Sequence, residues 1–126
     1  MSNLNVPVAL VVDDNFYNRD LCRMALEHVG YTVVEAENGR EALATLANRS
    51  FDLLVLDLAM PEVDGVSVIR EICDKAEHKK MQILVVTAHA HMSYNLIDVG
   101  ADFIMHKPID IEAFSRFSQR LIMAES

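Results

Sequence analysis

A doubly wound α/β sandwich, with five parallel strands and five helices covering both faces of the sheet, is the fold class this sequence predicts. Three observations carry that prediction. Short continuous apolar runs recur along the chain: Val8-Ala9-Leu10-Val11-Val12, Leu53-Leu54-Val55-Leu56 and Ile83-Leu84-Val85-Val86. Each has strand length without polar alternation, the pattern of a strand buried on both faces. Between the strand-like runs lie segments whose apolar residues recur at helical spacing, and such alternation implies right-handed crossovers and a parallel sheet. The 126 residues, 52% of them hydrophobic, form one core-bearing domain without disulfide or metal staples, and no repeat or linker interrupts them.

Pro7 introduces the first strand, which stops at Asp13-Asp14-Asn15. From about Asn15 to Val29 the spacing of Leu21, Ala25, Leu26 and Val29 predicts the first helix, and Gly30 is its left-handed terminator. Tyr31 to Ala36, rich in β-branched residues, is the second strand. Asn38 caps a second helix running to about Ala47, with Ala42, Leu43 and Leu46 inward. Asp52 to Asp57 forms the third strand, followed by a loop punctuated by Met60-Pro61 and Asp64-Gly65. Val66, Ile69, Ile72 and Cys73 make one face of a third helix, ending before Asp74 to Lys80. The fourth strand, Ile83 to Val86, closes on Thr87, and Ala88 to Val99 is the fourth helix. Gly100-Ala101-Asp102 turns the chain into the fifth strand, Phe103 to His106, which ends on Lys107-Pro108. Asp110 caps the last helix, with Ile109 and Phe114 as a hydrophobic staple and Phe117, Leu121 and Ile122 inward.

The net charge of −8 argues against a nucleic-acid surface, which needs clustered Lys and Arg. Val6 to Val12 is too short for a signal peptide, and no run approaches the roughly 20 apolar residues of a membrane span, so the expected location is cytoplasmic. Cys22 and Cys73 lack metal-ligand spacing and read as reduced structural thiols. His89 and His91, two apart, do not share a helix face, which argues against a metal pair.

In a parallel sandwich the carboxyl ends of the strands share one rim, where ligands bind. Asp13, Asp14, Asp57, Thr87 and Lys107 all arrive there. Taken alone, Asp13 and Asp14 could simply cap the first helix, Lys107 could be a solvated lysine and Thr87 a strand-end residue. Together they make a site. Several carboxylates within a few Å repel one another, a cost that a hard divalent cation relieves, and magnesium accepts one or two carboxylates together with waters and phosphate oxygens. Lys107 offers a point charge to a phosphoryl oxygen and Thr87 a hydroxyl donor, which leaves a carboxylate as nucleophile toward phosphorus.

Val12-Asp13-Asp14-Asn15, Leu56-Asp57-Leu58-Ala59-Met60-Pro61 with Asp64-Gly65, Val86-Thr87-Ala88 and His106-Lys107-Pro108, in this order, resemble the receiver domain of two-component response regulators, whose fold is flavodoxin-like. The resemblance covers essentially the whole chain. It implies that Asp57 accepts phosphoryl from a histidine kinase or histidine phosphotransfer protein and so switches the binding of a downstream protein. It further implies that Asp14, Asp57 and the Ala59 carbonyl hold Mg2+ with Asp13 assisting, and that Thr87 and Lys107 bind the phosphoryl oxygens. Such a domain is a signalling module that catalyses its own phosphoryl transfer and dephosphorylation. No output domain follows Ser126, so residues 1–126 read as a single receiver, stand-alone or excised. Asn15, Asn18-Arg19 and Thr87-Ala88-His89-Ala90 resemble receivers of hybrid kinases and phosphorelays.

Two departures from the family fall on the face where receivers display their output. The stretch from Thr87 to Gly100 is about two residues short, and Ile104 stands where an aromatic residue is common, with Phe103 displaced by one. Two other functions use similar parts. A magnesium-dependent aspartyl phosphohydrolase needs a second acid two residues after its nucleophile, where this chain has Ala59; a receiver-like interaction module acting without phosphorylation would have no use for the full acid, threonine and lysine set. A flavodoxin is excluded because Asp13 and Asp14 would repel its flavin phosphate.

Overall fold

Five strands lie parallel in the order β2-β1-β3-β4-β5: β1 (Val8–Val12), β2 (Thr32–Ala36), β3 (Leu53–Asp57), β4 (Gln82–Thr87) and β5 (Phe103–His106). The computed structural model describes residues 6–57, 69–71, 80–87 and 100–124. Helices α1 (Phe16–Val29), α2 (Gly39–Asn48) and α3 (Ile111–Ala124) belong to this region, as does a helical stretch at 69–71 within the expected third helix. The remainder of that helix, the loop after Asp57 with Ala59, and the helix expected from Ala88 to Val99 lie outside the described residues.

Residues alternate between the two faces of each strand, so the central runs feed two cores. Leu10, Val12, Leu54, Leu56, Ile83 and Val85 meet Ala42 and Leu46 of α2, together with Ile69. On the other face Ala9, Val11, Leu53, Val55, Leu84 and Val86 meet Cys22, Ala25 and Leu26 of α1 and Phe114 of α3. Every residue of β3 is buried, as its unbroken apolar run requires. At the sheet edge, β5 shows the half-buried alternation of a strand covered on one side.

The caps are built as the residue types dictate. Asn15 Oδ1 accepts from Asn18 N at 3.0 Å, Asn38 Oδ1 from Glu41 N at 2.9 Å, and Asp110 Oδ1 from Glu112 N at 3.0 Å. Gly30, at φ 116°, ends α1 in the left-handed conformation; its amide and that of Tyr31 donate to Glu27 O and Leu26 O. Strand and helix ends fall within about a residue of the sequence expectation, the ordinary scatter of such boundaries.

One inward assignment is corrected. Leu21 is 49% exposed, and the buried face of α1 runs through Arg19, Cys22, Ala25 and Leu26. Arg19 can bury its length in this face because its guanidinium has partners, and Leu21 stands at the edge of it. The displaced aromatic has a defined place: the Phe103 ring packs edge-to-face on Phe117 of α3, centroids 4.9 Å apart, while Ile104 lies partly exposed on the opposite side of β5. Cys22 is buried, and its thiol is pushed up to about 12 by that burial, so it stays an inert thiol as its spacing suggested.

Candidate functional site

Register brings the acids together. Val12 is level with Leu56 across β1 and β3, so Asp13 and Asp57 are the next residues to meet at the carboxyl rim. Asp57 is level with Val86 and Thr87 with His106, which sets Thr87 and Lys107 at the ends of the next two strands. The Lys107 amide donates to Thr87 O at 2.8 Å, and the Lys107–Pro108 peptide is cis.

One carboxylate oxygen from each of Asp13, Asp14 and Asp57 lies within 4.8 Å of the others. Asp57 and Asp13 are buried, at 3% and 6% exposure, whereas Asp14 faces solvent. Lys107 Nζ donates to Asp57 Oδ2 at 3.1 Å and stands 3.9 Å from Asp13 Oδ2. Thr87 is buried at 2% exposure. Its strand parity follows Ile83 and Val85, so it reaches the rim from the α2 side, while Asp13, Asp57 and Lys107 continue the parity of the α1 side. Of the sequence-predicted residues, Asp13, Asp14, Asp57 and Lys107 share one cluster, Thr87 ends the adjacent strand, and Ala59 lies outside the described residues.

The capping alternative for Asp13 and Asp14 is answered by Asn15, which caps α1 itself. Asp13 Oδ1 accepts from Asn15 N at 2.9 Å, an Asx turn that orients this carboxylate. Burial pushes the Asp13 carboxyl up to about 6, and the neighbouring Asp57 adds to the rise against the opposing Asn15 amide and Lys107. A buried acid whose charge its surroundings resist, beside two other hard oxygen donors, fits a divalent cation of the magnesium type.

This raised value has a measurable consequence. Between about pH 4 and pH 6 the folded state keeps a proton on Asp13 that the unfolded chain has lost, so this group's contribution to stability falls as pH rises through that window and stays lower above it. In metal-free buffer Asp13→Asn, which keeps an acceptor for Asn15, should stabilise the fold at pH 7.5 by on the order of 2 kcal/mol, with the advantage vanishing near pH 4. Urea unfolding of both proteins at the two pH values checks this; a variant less stable at pH 7.5 contradicts it.

Beside the cluster, a cleft of about 420 Å³ runs between α1 and the start of α3, lined by Asn18, Leu21, Cys22, Lys107, Pro108, Ile109 and Ile111. Leu21 is exposed in this lining, and Phe16, Tyr17 and Met24 are exposed elsewhere on α1.

The sequence model of the response regulator receiver domain matches residues 9–117. The chain belongs to the response regulator receiver family. Its relatives agree: the transcriptional regulatory protein ResD of Bacillus subtilis is 39% identical over 110 residues, covering 86% of this chain and 45% of that protein. The DNA-binding transcriptional regulator NtrC of Salmonella typhimurium is 32% identical over 117 residues, covering 91% of this chain and 24% of that protein. The receiver thus spans less than half the length of these curated relatives. Among solved structures, the chemotaxis response regulator CheY4 of Vibrio cholerae superposes with a TM-score of 0.85 at 28% identity, covering 93% of this chain and 99% of that one. The expected flavodoxin-like sandwich is therefore the observed one, and the family is a signalling family of two-component systems and not one of conventional enzymes. Among the described residues no helix is long and apolar enough to cross a membrane.

Sequence reasoning missed a second set of polar residues. Arg19, noted in the sequence only for its family resemblance, bonds the turn that carries the acids, and Glu35, not singled out there, bonds Arg19. Asp52 and Asp102 sit at the opposite rim and accept from the Val8 and Ile83 amides at 2.8 and 2.7 Å. The available signal for Arg19 was the conflict it creates: an arginine three residues before Cys22 on the same helical face as the core positions Ala25 and Leu26.

Proposed function

We propose that this receiver takes a phosphoryl group on Asp57 from the phosphohistidine of a histidine kinase or histidine phosphotransfer protein, and that the phosphorylated form switches binding of a downstream protein in the cytoplasm. The observation that supports this best is the buried Asp57 carboxylate with Lys107 Nζ 3.1 Å away and two further acids gathered at the same rim. Asp57 is the nucleophile, and Lys107 holds it in place and meets the charge that builds on the transferring group. The Thr87 hydroxyl is the donor to a second phosphoryl oxygen. Asp13, Asp14 and Asp57, with the carbonyl of Ala59, are the groups that would hold Mg2+, which when bound neutralises the acids and the phosphoryl oxygens. Exposed Leu21, together with Pro108, Ile109 and Ile111, offers the phosphodonor an apolar landing in the cleft that opens at Lys107. Incubation with acetyl phosphate and magnesium, read by intact mass, tests the reading: one phosphoryl increment is expected, and an unchanged mass refutes it.

The lifetime of the aspartyl phosphate depends on a water held in line behind phosphorus, and positioning of this kind contributes several kcal/mol to a barrier. Two residues after the acceptor stands Ala59, which can orient nothing, so decay is slow; two residues after Thr87 stands His89, whose neutral ring could hold that water. Ala59→Asn should speed decay of the phosphorylated form several-fold, followed by mass after donor removal. No acceleration from this change, together with no effect of His89→Ala, would place control of the water elsewhere.

A further inference from the structure

The geometry points to Arg19 as a positioning residue for the cation-binding acids, acting through the peptide unit between Asp13 and Asp14. Arg19 is 8% exposed. Its Nη1 donates to the Asp13 carbonyl oxygen at 2.8 Å and its Nε to Glu35 Oε1 at 2.9 Å, while the guanidinium carbon stands 5.6 Å from the centre of the Phe16 ring. Three elements thus converge on one buried cation: the end of β1, the first turn of α1, and β2.

The carbonyl of Asp13 and the amide of Asp14 belong to the same planar peptide. Fixing that carbonyl sets the torsions on either side of the plane, and these aim the Cα–Cβ bonds of both acids. Asp14 is solvent-exposed, and the plane it shares with Asp13 is the means by which a bond to the main chain can orient it. Arginine suits this task because its planar fork can serve the carbonyl and the Glu35 carboxylate at once, which a single ammonium cannot do in the same geometry. Glu35 also stands 3.6 Å from Arg23, which pairs in turn with Asp20 and Glu27, so the clamp is anchored on the α1 surface. An apolar side chain such as methionine would fill the same space, but it would leave the Asp13 carbonyl without this donor.

Electrostatics alone makes the opposite prediction, which gives the test its power. A guanidinium bonded to the main chain of the site repels a dication, so by Coulomb's law removing it should tighten magnesium binding. If Arg19 acts by orientation, removing it weakens binding, and loss of an outer partner of metal ligands typically costs about tenfold or more in affinity.

The inference rests on the reading of the acids as a magnesium site. The experiment is a MgCl2 titration of the full chain followed through the backbone amide shifts of residues 13–15, on wild type, Arg19→Met and Arg19→Lys. Arg19→Met should bind about tenfold more weakly than wild type, and Arg19→Lys, which keeps the charge and the buried methylenes but loses the fork, about threefold more weakly. Should Arg19→Met not fold, Arg19→Lys decides alone. A wild type that responds to magnesium, with variants that bind as tightly or more tightly, overturns the role of Arg19 while leaving the site intact. A wild type that shows no magnesium response overturns the reading of the site and this inference with it.

Discussion

Asp57→Asn will take up no phosphoryl group from acetyl phosphate under conditions that label the wild type fully. The carboxylate is 3% exposed, with its Oδ2 bonded to Lys107, so the substitution preserves shape and volume while removing the charge and the nucleophilic oxygen pair. An amide oxygen is a far weaker nucleophile, and the loss is one of kind more than degree. The nearby acids supply the internal control. Asp13 and Asp14 have oxygens within 4.8 Å of Asp57, so an acceptor role for either would appear as persistent labelling of the Asn variant. Intact mass distinguishes the two outcomes without a partner protein. Labelling of the variant at the wild-type level would move the acceptor to another residue and remove the chemical basis of the reading.

The acids were legible in the sequence because their positions follow from the strands. An apolar run buried on both faces has to end where the sheet ends, so a charge that closes it, Asp13 after Val12 or Asp57 after Leu56, has to sit at the rim. Two caps were legible for a similar reason: Asn38 and Asp110 each precede a helical pattern with an acceptor side chain, and each is found accepting from the first turn, whereas the cap of α1 is Asn15 and not the preceding acids that could have served. Burial on α1 was less legible. Periodicity assigns a face by counting apolar residues, and it favoured Leu21; the structure buries Arg19 in that face because two hydrogen bonds and an aromatic ring compensate its charge. No single-residue property announces such compensation, since Glu35 lies sixteen residues away and Asp13 contributes a backbone oxygen. The place of Phe103 was equally hidden. A displacement of one residue along a strand reverses the face, and only the packing of α3 shows that the ring finds Phe117 there.

Removal of divalent cations will lower the rate of phosphoryl uptake at Asp57 by at least about 100-fold, the scale of a few kcal/mol of charge stabilisation. Among the described residues the rim gathers three carboxylates against one lysine, and a small-molecule donor arrives with negative charge of its own. Lys107 cannot neutralise this alone: it is 3.1 Å from Asp57 and 3.9 Å from Asp13 and is shared between them. With chelator present, Asp13 takes up a proton more readily, its carboxyl already pushed up to about 6 by burial, so at pH 6 and below part of the repulsion is relieved without metal. The cation dependence should therefore be steepest above pH 7 and shallower near pH 5.5, provided the donor's own protonation is matched by a pH-controlled comparison with and without magnesium. Asp14→Ala removes an exposed carboxylate without disturbing a core, and it should lower both the uptake and the response to added magnesium. Uptake that proceeds undiminished in excess chelator above pH 7 would mean that the three acids at the rim serve something other than a cation.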